Sequence, residues 1–270
     1  MISVEKISIK KRNVQIIHDA TFQIMPGKIT VLVGKNGAGK STLLEALAGN
    51  NPVSSGVISW DGILLRYFNK QSLAHRRAVV SQSVKLGFPI RVEAVIEMGT
   101  YASENYIPSL KVKSLIQHAL SKVDLQGFED RWFSSLSGGE QKRVLLAKCI
   151  VQLNCTHWAD NNKYLFLDEP TANLDLQQQF KLIDTIKYLV RRRHIGVFMI
   201  LHDINLAAQV ADEIIFIKEG RLSVKGTPHQ VITKDHLKNH LDIDAIIQSH
   251  PVFDCPHIIS LPEHYALLAS

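Results

Sequence analysis

The sequence predicts an α/β fold with a mainly parallel core sheet, an antiparallel β subdomain and a helical subdomain. Three observations carry that prediction. Gly34-Lys35-Asn36-Gly37-Ala38-Gly39-Lys40-Ser41-Thr42 fits the phosphate-binding pattern G-x-x-x-x-G-K-[ST] at every fixed position. A β-branched apolar run over 29–33 precedes it and a run of good helix formers over 41–48 follows, so it reads as strand, glycine turn and helix. Two further apolar runs, 164–167 and 196–201, end in Asp168-Glu169 and His202-Asp203, as parallel strands do where they deliver side chains to one edge.

Composition sets broad bounds. The 270 residues are 46% hydrophobic and 21% charged, ordinary values for a globular chain with a sizeable core. No run of 18 uninterrupted apolar residues suggests a membrane span, and the first residues lack a basic-then-apolar signal segment. Cys149, Cys155 and Cys255 are odd in number and lack metal spacing, which fits a reducing compartment. A net charge of +6 with scattered basic residues permits an acidic ligand and argues against nucleic acid.

Taken in order, residues 2–9 alternate as a strand, 10–13 make a turn, and 14–24 read as a second and third strand. Met25-Pro26-Gly27-Lys28 turns the chain into the strand before the phosphate loop. In that loop the glycines let several N–H groups point inward, and the helix start adds partial positive charge. Lys40 is expected to reach the β/γ-phosphates and the Ser41 hydroxyl to bind Mg²⁺. Residues 50–56 break the helix; 57–60 form a short strand with Asp61-Gly62 as a hairpin turn. An apolar strand over 78–82 ends in Gln82, and 93–98 and 111–123 read as helices.

Leu136-Ser137-Gly138-Gly139-Glu140-Gln141 opens a helix through Ile150. Ser137 and the glycines form a second phosphate site serving another copy of the chain, or else Ser137 and Glu140 form a plain capping box. Asp168 is placed to complete a Mg²⁺ shell with Ser41, and Glu169 to orient or deprotonate a water. A helix over 176–193 ends in Arg191, Arg192 and Arg193, cations suited to a helix C-terminus. His202 ends a third strand near the same edge as Lys40 and Asp168. A helix over 205–210, a hairpin around Glu219-Gly220 and a helical region over 228–249 complete the chain.

These motifs, with Gln82, Pro170, Asp175 and His202, stand in the order and spacing of an ABC-transporter ATPase subunit, which the chain resembles over residues 1–230. Ser81-Gln82-Ser83, Phe88-Pro89-Ile90-Arg91-Val92-Glu93 and 201–208 are similar to ATPases of the iron-chelate and cobalamin importers. Leu86-Gly87-Phe88-Pro89, the long 152–163 segment and the tail through Pro251, Cys255-Pro256 and Pro262 look most like the ATPase of hemin importers.

The resemblance implies an ATPase domain over 1–240, with a helical subdomain at about 83–150 and a tail over 241–270 packed on the core. Two copies would sandwich two ATP molecules head to tail. Gly34, Lys35, Asn36, Gly37, Ala38, Gly39, Lys40, Ser41, Thr42 and Gln82 would hold ATP, and Ser41, Gln82 and Asp168 would hold Mg²⁺. From the partner copy would come Ser137, Gly138, Gly139, Glu140, Gln141 and Asp175. Glu169 would act on the water and His202 on the γ-phosphate. A transmembrane permease dimer would take up the motion through residues 83–110, at the cytoplasmic face of a bacterial inner membrane. A periplasmic hemin-binding protein would be an indirect partner. A soluble ABC protein acting on DNA or ribosomes would carry two ATPase halves or long helical insertions, and a non-hydrolysing regulator would lack Glu169 or His202. Ferric siderophore or cobalamin is the alternative cargo. Two features stand apart. Ile9 is read where many members have a base-stacking aromatic. Cys255-Pro256, with His250 and His257, offers a thiolate ligand for heme iron.

Overall fold

The structure, a computed structural model, describes residues 1–81, 87–103, 107–155 and 162–262. The first elements are β1 (Ile2–Lys11), β2 (Val14–Ile24), β3 (Ile29–Gly34), α1 (Lys40–Leu47), β4 (Ser55–Trp60) and β5 (Ile63–Leu64). Next come α2 (Lys70–Arg76), β6 (Arg77–Val80), α3 (Val92–Glu97), α4 (Ser109–Lys122), α5 (Gly138–Cys155), β7 (Tyr164–Asp168) and α6 (Leu176–Arg193). The chain closes with β8 (Gly196–Ile200), α7 (Ile204–Val210), β9 (Glu213–Lys218), β10 (Arg221–Gly226), α8 (Pro228–Val231), α9 (Lys234–Leu241), β11 (Asp244–Ser249) and β12 (Pro256–Leu261). They form two compact units, Met1–Leu65 with Phe198–Ser270, and Arg66–Val197.

In the first unit an antiparallel sheet runs in the order β2-β1-β4-β5. β3 pairs in parallel with β9, from Thr30 opposite Glu213 to Gly34 opposite Ile217, and β9 turns antiparallel into β10. All six residues of β3 are buried. That explains an unbroken Ile-Thr-Val-Leu-Val run, since a strand covered on both faces needs no polar alternation. Leu201 donates its N–H to the Leu32 carbonyl at 3.4 Å, so the chain leaving β8 lies beside the strand entering the phosphate loop.

The second unit is organised by α5. Val144, Leu146, Ala147, Cys149, Ile150 and Val151 are each at most 2% exposed, so this helix is covered around most of its circumference. α3, α4 and β6 pack on it. β6 and β7 pair in parallel, Val80 opposite Leu167, and every residue of β7 is buried.

Several expectations need correction. Residues 14–24 are one strand. Its ladder with β1 continues from Ile2 opposite Ile24 to Lys11 opposite Val14, and irregularities at the positive-φ residues Lys6 and Asp19 bend the ladder without breaking it. The helical region over 228–249 ends at Asp242, whose φ of 57° is left-handed; residues 244–249 are a strand. There Ile246 faces Ile259 and Ile247 faces Ile258, so a partner distant in sequence wins over local helical preference. The long 152–163 segment, expected as a surface loop, instead begins as helix: residues 152–155 extend α5, because Leu153 and Cys155 are buried and Lys163 Nζ donates to the Leu153 carbonyl. Of the rest of that segment, residues 156–161 lie outside the described residues. α2 was not anticipated; Asn69 caps it by accepting from the Ser72 N–H at 2.7 Å.

Candidate functional site

In the first unit the phosphate loop joins β3 to α1. Gly34 must be glycine because a Cβ there would come within 2.4 Å of the Ile217 carbonyl oxygen on β9. Gly39 precedes α1 at φ 98°, and a Cβ would also meet Ile17 at 2.8 Å. The first turn of α1 has neither a side-chain cap nor an acidic residue, so its N–H groups and partial positive charge face the loop. Lys40 is only 6% exposed, and its Nζ donates to the carbonyls of Gly34 at 2.8 Å and Lys35 at 2.9 Å. Lys35, Asn36 and Gly37 are exposed, Ala38 is buried, and Ser41 and Thr42 are half-buried behind them. An uncapped helix start, a buried ammonium and a hydroxyl fit a polyphosphate, and the Ser41 oxygen is a donor of the type Mg²⁺ takes.

His202 belongs to the same unit and is exposed. Its turn is set by Asp203, which caps α7 by accepting from the N–H groups of Asn205 at 2.8 Å and Leu206 at 3.1 Å. Asn205 in turn binds the backbone of Ile258 on β12. Lys35 forms an ion pair with Asp242, the residue that ends α9.

In the second unit, Ser137 and Glu140 form a reciprocal capping box. The Ser137 N–H donates to the Glu140 carboxylate at 2.7 Å and the Glu140 N–H to the Ser137 hydroxyl at 3.3 Å. The Ser137 backbone N–H is the main reason the Glu140 carboxyl sits below its ordinary pKa. Gln141 donates to the carbonyls of Phe133 and Leu136, both at 3.1 Å, and fixes the turn ahead of the helix. Ser137 and Gly138 are exposed, whereas Gly139 is buried: a Cβ there would lie 2.6 Å from both Leu174 and Gln178.

Asp168 ends β7 and is 6% exposed; Glu169 follows at φ 50°. Lys142 Nζ donates to the carbonyls of Glu169 at 2.8 Å and Ala172 at 2.7 Å, and so spans this turn. Burial lowers the Lys142 pKa while Glu169 and Asp168 act against that shift. Asp175 is exposed and caps α6 by accepting from the Gln178 N–H at 2.9 Å.

The structure thus gathers residues 34–42 with His202 in one unit, and Ser137 to Gln141 with Asp168, Glu169 and Asp175 in the other. Gln82 lies outside the described residues. Ile9 is 2% exposed inside β1, so its side chain belongs to the core. The Cys255 thiol is 4% exposed, and His250 Nδ1 accepts from the N–H groups of Val252 and Phe253, both at 3.1 Å, which ties down two members of that group. Lys142 and Asp242 were missed in the sequence. The signal for Lys142 is its place three residues after Gly139, on one face of α5; Asp242 carries none, because its partner is 207 positions away.

Comparison with known proteins identifies the family. Residues 17–172 match the ABC transporter family model. The hemin import ATP-binding protein HmuV of Hahella chejuensis is 37% identical over 259 residues, covering 96% of this chain and 99% of that one. Its counterpart in Bordetella parapertussis is 36% identical over 250 residues, covering 93% and 95%. The dimeric bacterial ABC transporter cassette MJ0796 superposes with a TM-score of 0.75 at 20% identity, covering 84% of this chain and 98% of that one, so the two share a fold.

Proposed function

This chain belongs to the ABC transporter family as an ATP-hydrolysing, ATP-binding subunit, and from that premise we propose that it energises hemin import across a bacterial inner membrane. The observation that carries the cargo is the near-full-length similarity to hemin import ATP-binding proteins, at 32–37% identity over 93–98% of the chain.

The ATP site in this reading is built from residues 34–42. Lys40 exchanges the Gly34 and Lys35 carbonyls for β- and γ-phosphate oxygens, and the uncapped N–H groups of α1 take the remaining phosphate charge. Mg²⁺, when bound, neutralises phosphate charge, and Ser41, Asp168 and Gln82 are the residues that would hold it. Glu169 is the base for the attacking water and His202 contacts the γ-phosphate. Two copies close head to tail, with Ser137, Gly138, Gly139, Glu140 and Gln141 of each facing the nucleotide of the other, and Asp175 at the seam. ATP drives the switch because the closed pair binds it more tightly than the open one.

Residues 1–240 form the ATPase domain in this account, about 83–150 its helical subdomain, and 241–270 a tail. The subunit works peripherally, at the cytoplasmic face, against a permease dimer. Among the described residues no helix is long and apolar enough to cross a membrane. A deletion strain tests the cargo: it should fail to grow on hemin as sole iron source yet grow on a ferric siderophore. Loss on the siderophore alone would reassign the cargo.

A further inference from the structure

We infer that Lys142 is a positioning residue that sets the backbone of Glu169 and makes it follow the Ser137–Gln141 helix start of the same chain. The inference rests on the proposed roles of Glu169 and of the helix start, and goes beyond them by linking the two.

Glu169 has φ 50°, a left-handed conformation that residues with a Cβ rarely adopt. Such a turn persists where its surroundings hold it. Here Ala172 donates its N–H to the Glu169 carbonyl at 3.3 Å, and Lys142 Nζ binds both that oxygen and the Ala172 carbonyl. One ammonium therefore spans first and last residues of the turn. Lys142 is half-buried and lines a small apolar pocket with Val80, Leu146, Leu167, Pro170 and Leu182, so its stem has an apolar setting while its head group meets the turn.

Lys142 reaches the turn from the start of the second turn of α5. Gly139, three residues earlier on the same face, packs against the side-chain ends of Leu174 and Gln178, which a Cβ would have to push aside. The start of α5 thus holds residues 169–178 at two points, one by charge-assisted hydrogen bonds and one by close packing. A displacement of Ser137–Gln141 on meeting a neighbour's nucleotide must move the ammonium that fixes Glu169. In the sandwich, each helix start would then report occupancy of one site to the carboxylate serving the other, a contiguous link between two sites.

Lys142→Met keeps the stem and removes the bonds; Lys142→Arg restores a cation. With the purified full chain, Lys142→Met should lower kcat for ATP roughly ten- to a hundredfold, the scale expected for a misplaced base, with KM within about twofold. Lys142→Arg should recover part of kcat. In a Glu169→Gln background, Lys142→Met should still form the ATP-held dimer on a sizing column; its loss would mean that Lys142 merely supports the helix and would overturn the inference. So would unchanged kcat in Lys142→Met while Glu169→Gln abolishes turnover. Full turnover in Glu169→Gln would instead overturn the reading of Glu169 itself. If the methionine variant does not fold, Lys142→Leu, which also has an apolar stem and no donor, carries the same test.

Discussion

The side-chain amide of Asn205 binds both polar groups of Ile258: Nδ2 donates to its carbonyl at 2.9 Å, and its N–H donates to Oδ1 at 2.7 Å. This pair ties β12 to the first turn of α7, three residues after His202. Asn205→Ala removes both bonds and leaves partly buried backbone groups unsatisfied. A loss of about 1–3 kcal/mol in urea unfolding is expected. Asn205→Asp, which sets a carboxylate oxygen against the Ile258 carbonyl, should not recover this loss.

Lys40 is a buried cation whose hydrogen bonds go to loop carbonyls. Lys40→Met should leave the loop folded, because the glycines and not the ammonium set its path. ATP affinity, measured with a fluorescent analogue, should fall roughly a hundredfold, as expected on removing a charged donor from a phosphate site. Unchanged affinity would move the phosphates elsewhere.

Two adjacent glycines of the helix start should respond differently to alanine. A Cβ on Gly138 meets nothing within 4 Å, whereas one on Gly139 lies 2.6 Å from Leu174 and Gln178. Gly138→Ala should stay within about 0.5 kcal/mol of the parent. Gly139→Ala should be the more costly of the two, by about 1 kcal/mol, because the ends of the Leu174 and Gln178 side chains must move aside. Chemical denaturation of the two variants side by side checks the contrast.

Burial raises the Cys149 thiol to about 11. A raised thiol pKa keeps the group protonated at neutral pH, and the thiolate, which is the nucleophile, gains population only as pH climbs toward that value. Cys149 should therefore resist a thiol reagent at pH 8 in the folded chain and react at once in urea. Rapid labelling of native protein, mapped to Cys149, would contradict its place inside α5.

Much of this was legible because short-range chemistry fixes it. The phosphate loop needs glycine where β9 crowds Gly34 and where Gly39 turns left-handed, so its spacing is visible in the sequence alone. The capping box of Ser137 and Glu140 spans three residues and is equally local. What stayed hidden depends on partners far along the chain. The β11–β12 hairpin exists because Ile246 and Ile247 find Ile259 and Ile258, partners that no local pattern within 228–249 reveals. The ion pair between Lys35 and Asp242 and the reach of Lys142 to Glu169 are likewise contacts that only the folded chain makes.

The most direct test of the site is Glu169→Gln in the purified chain. This swap removes the base while keeping size and hydrogen-bonding capacity. ATP turnover should vanish, ATP should remain bound, and the variant should elute as a dimer in ATP and as a monomer without it. Turnover at the parent rate, or no ATP-dependent dimer, would contradict the account of Glu169 and of the two-copy site.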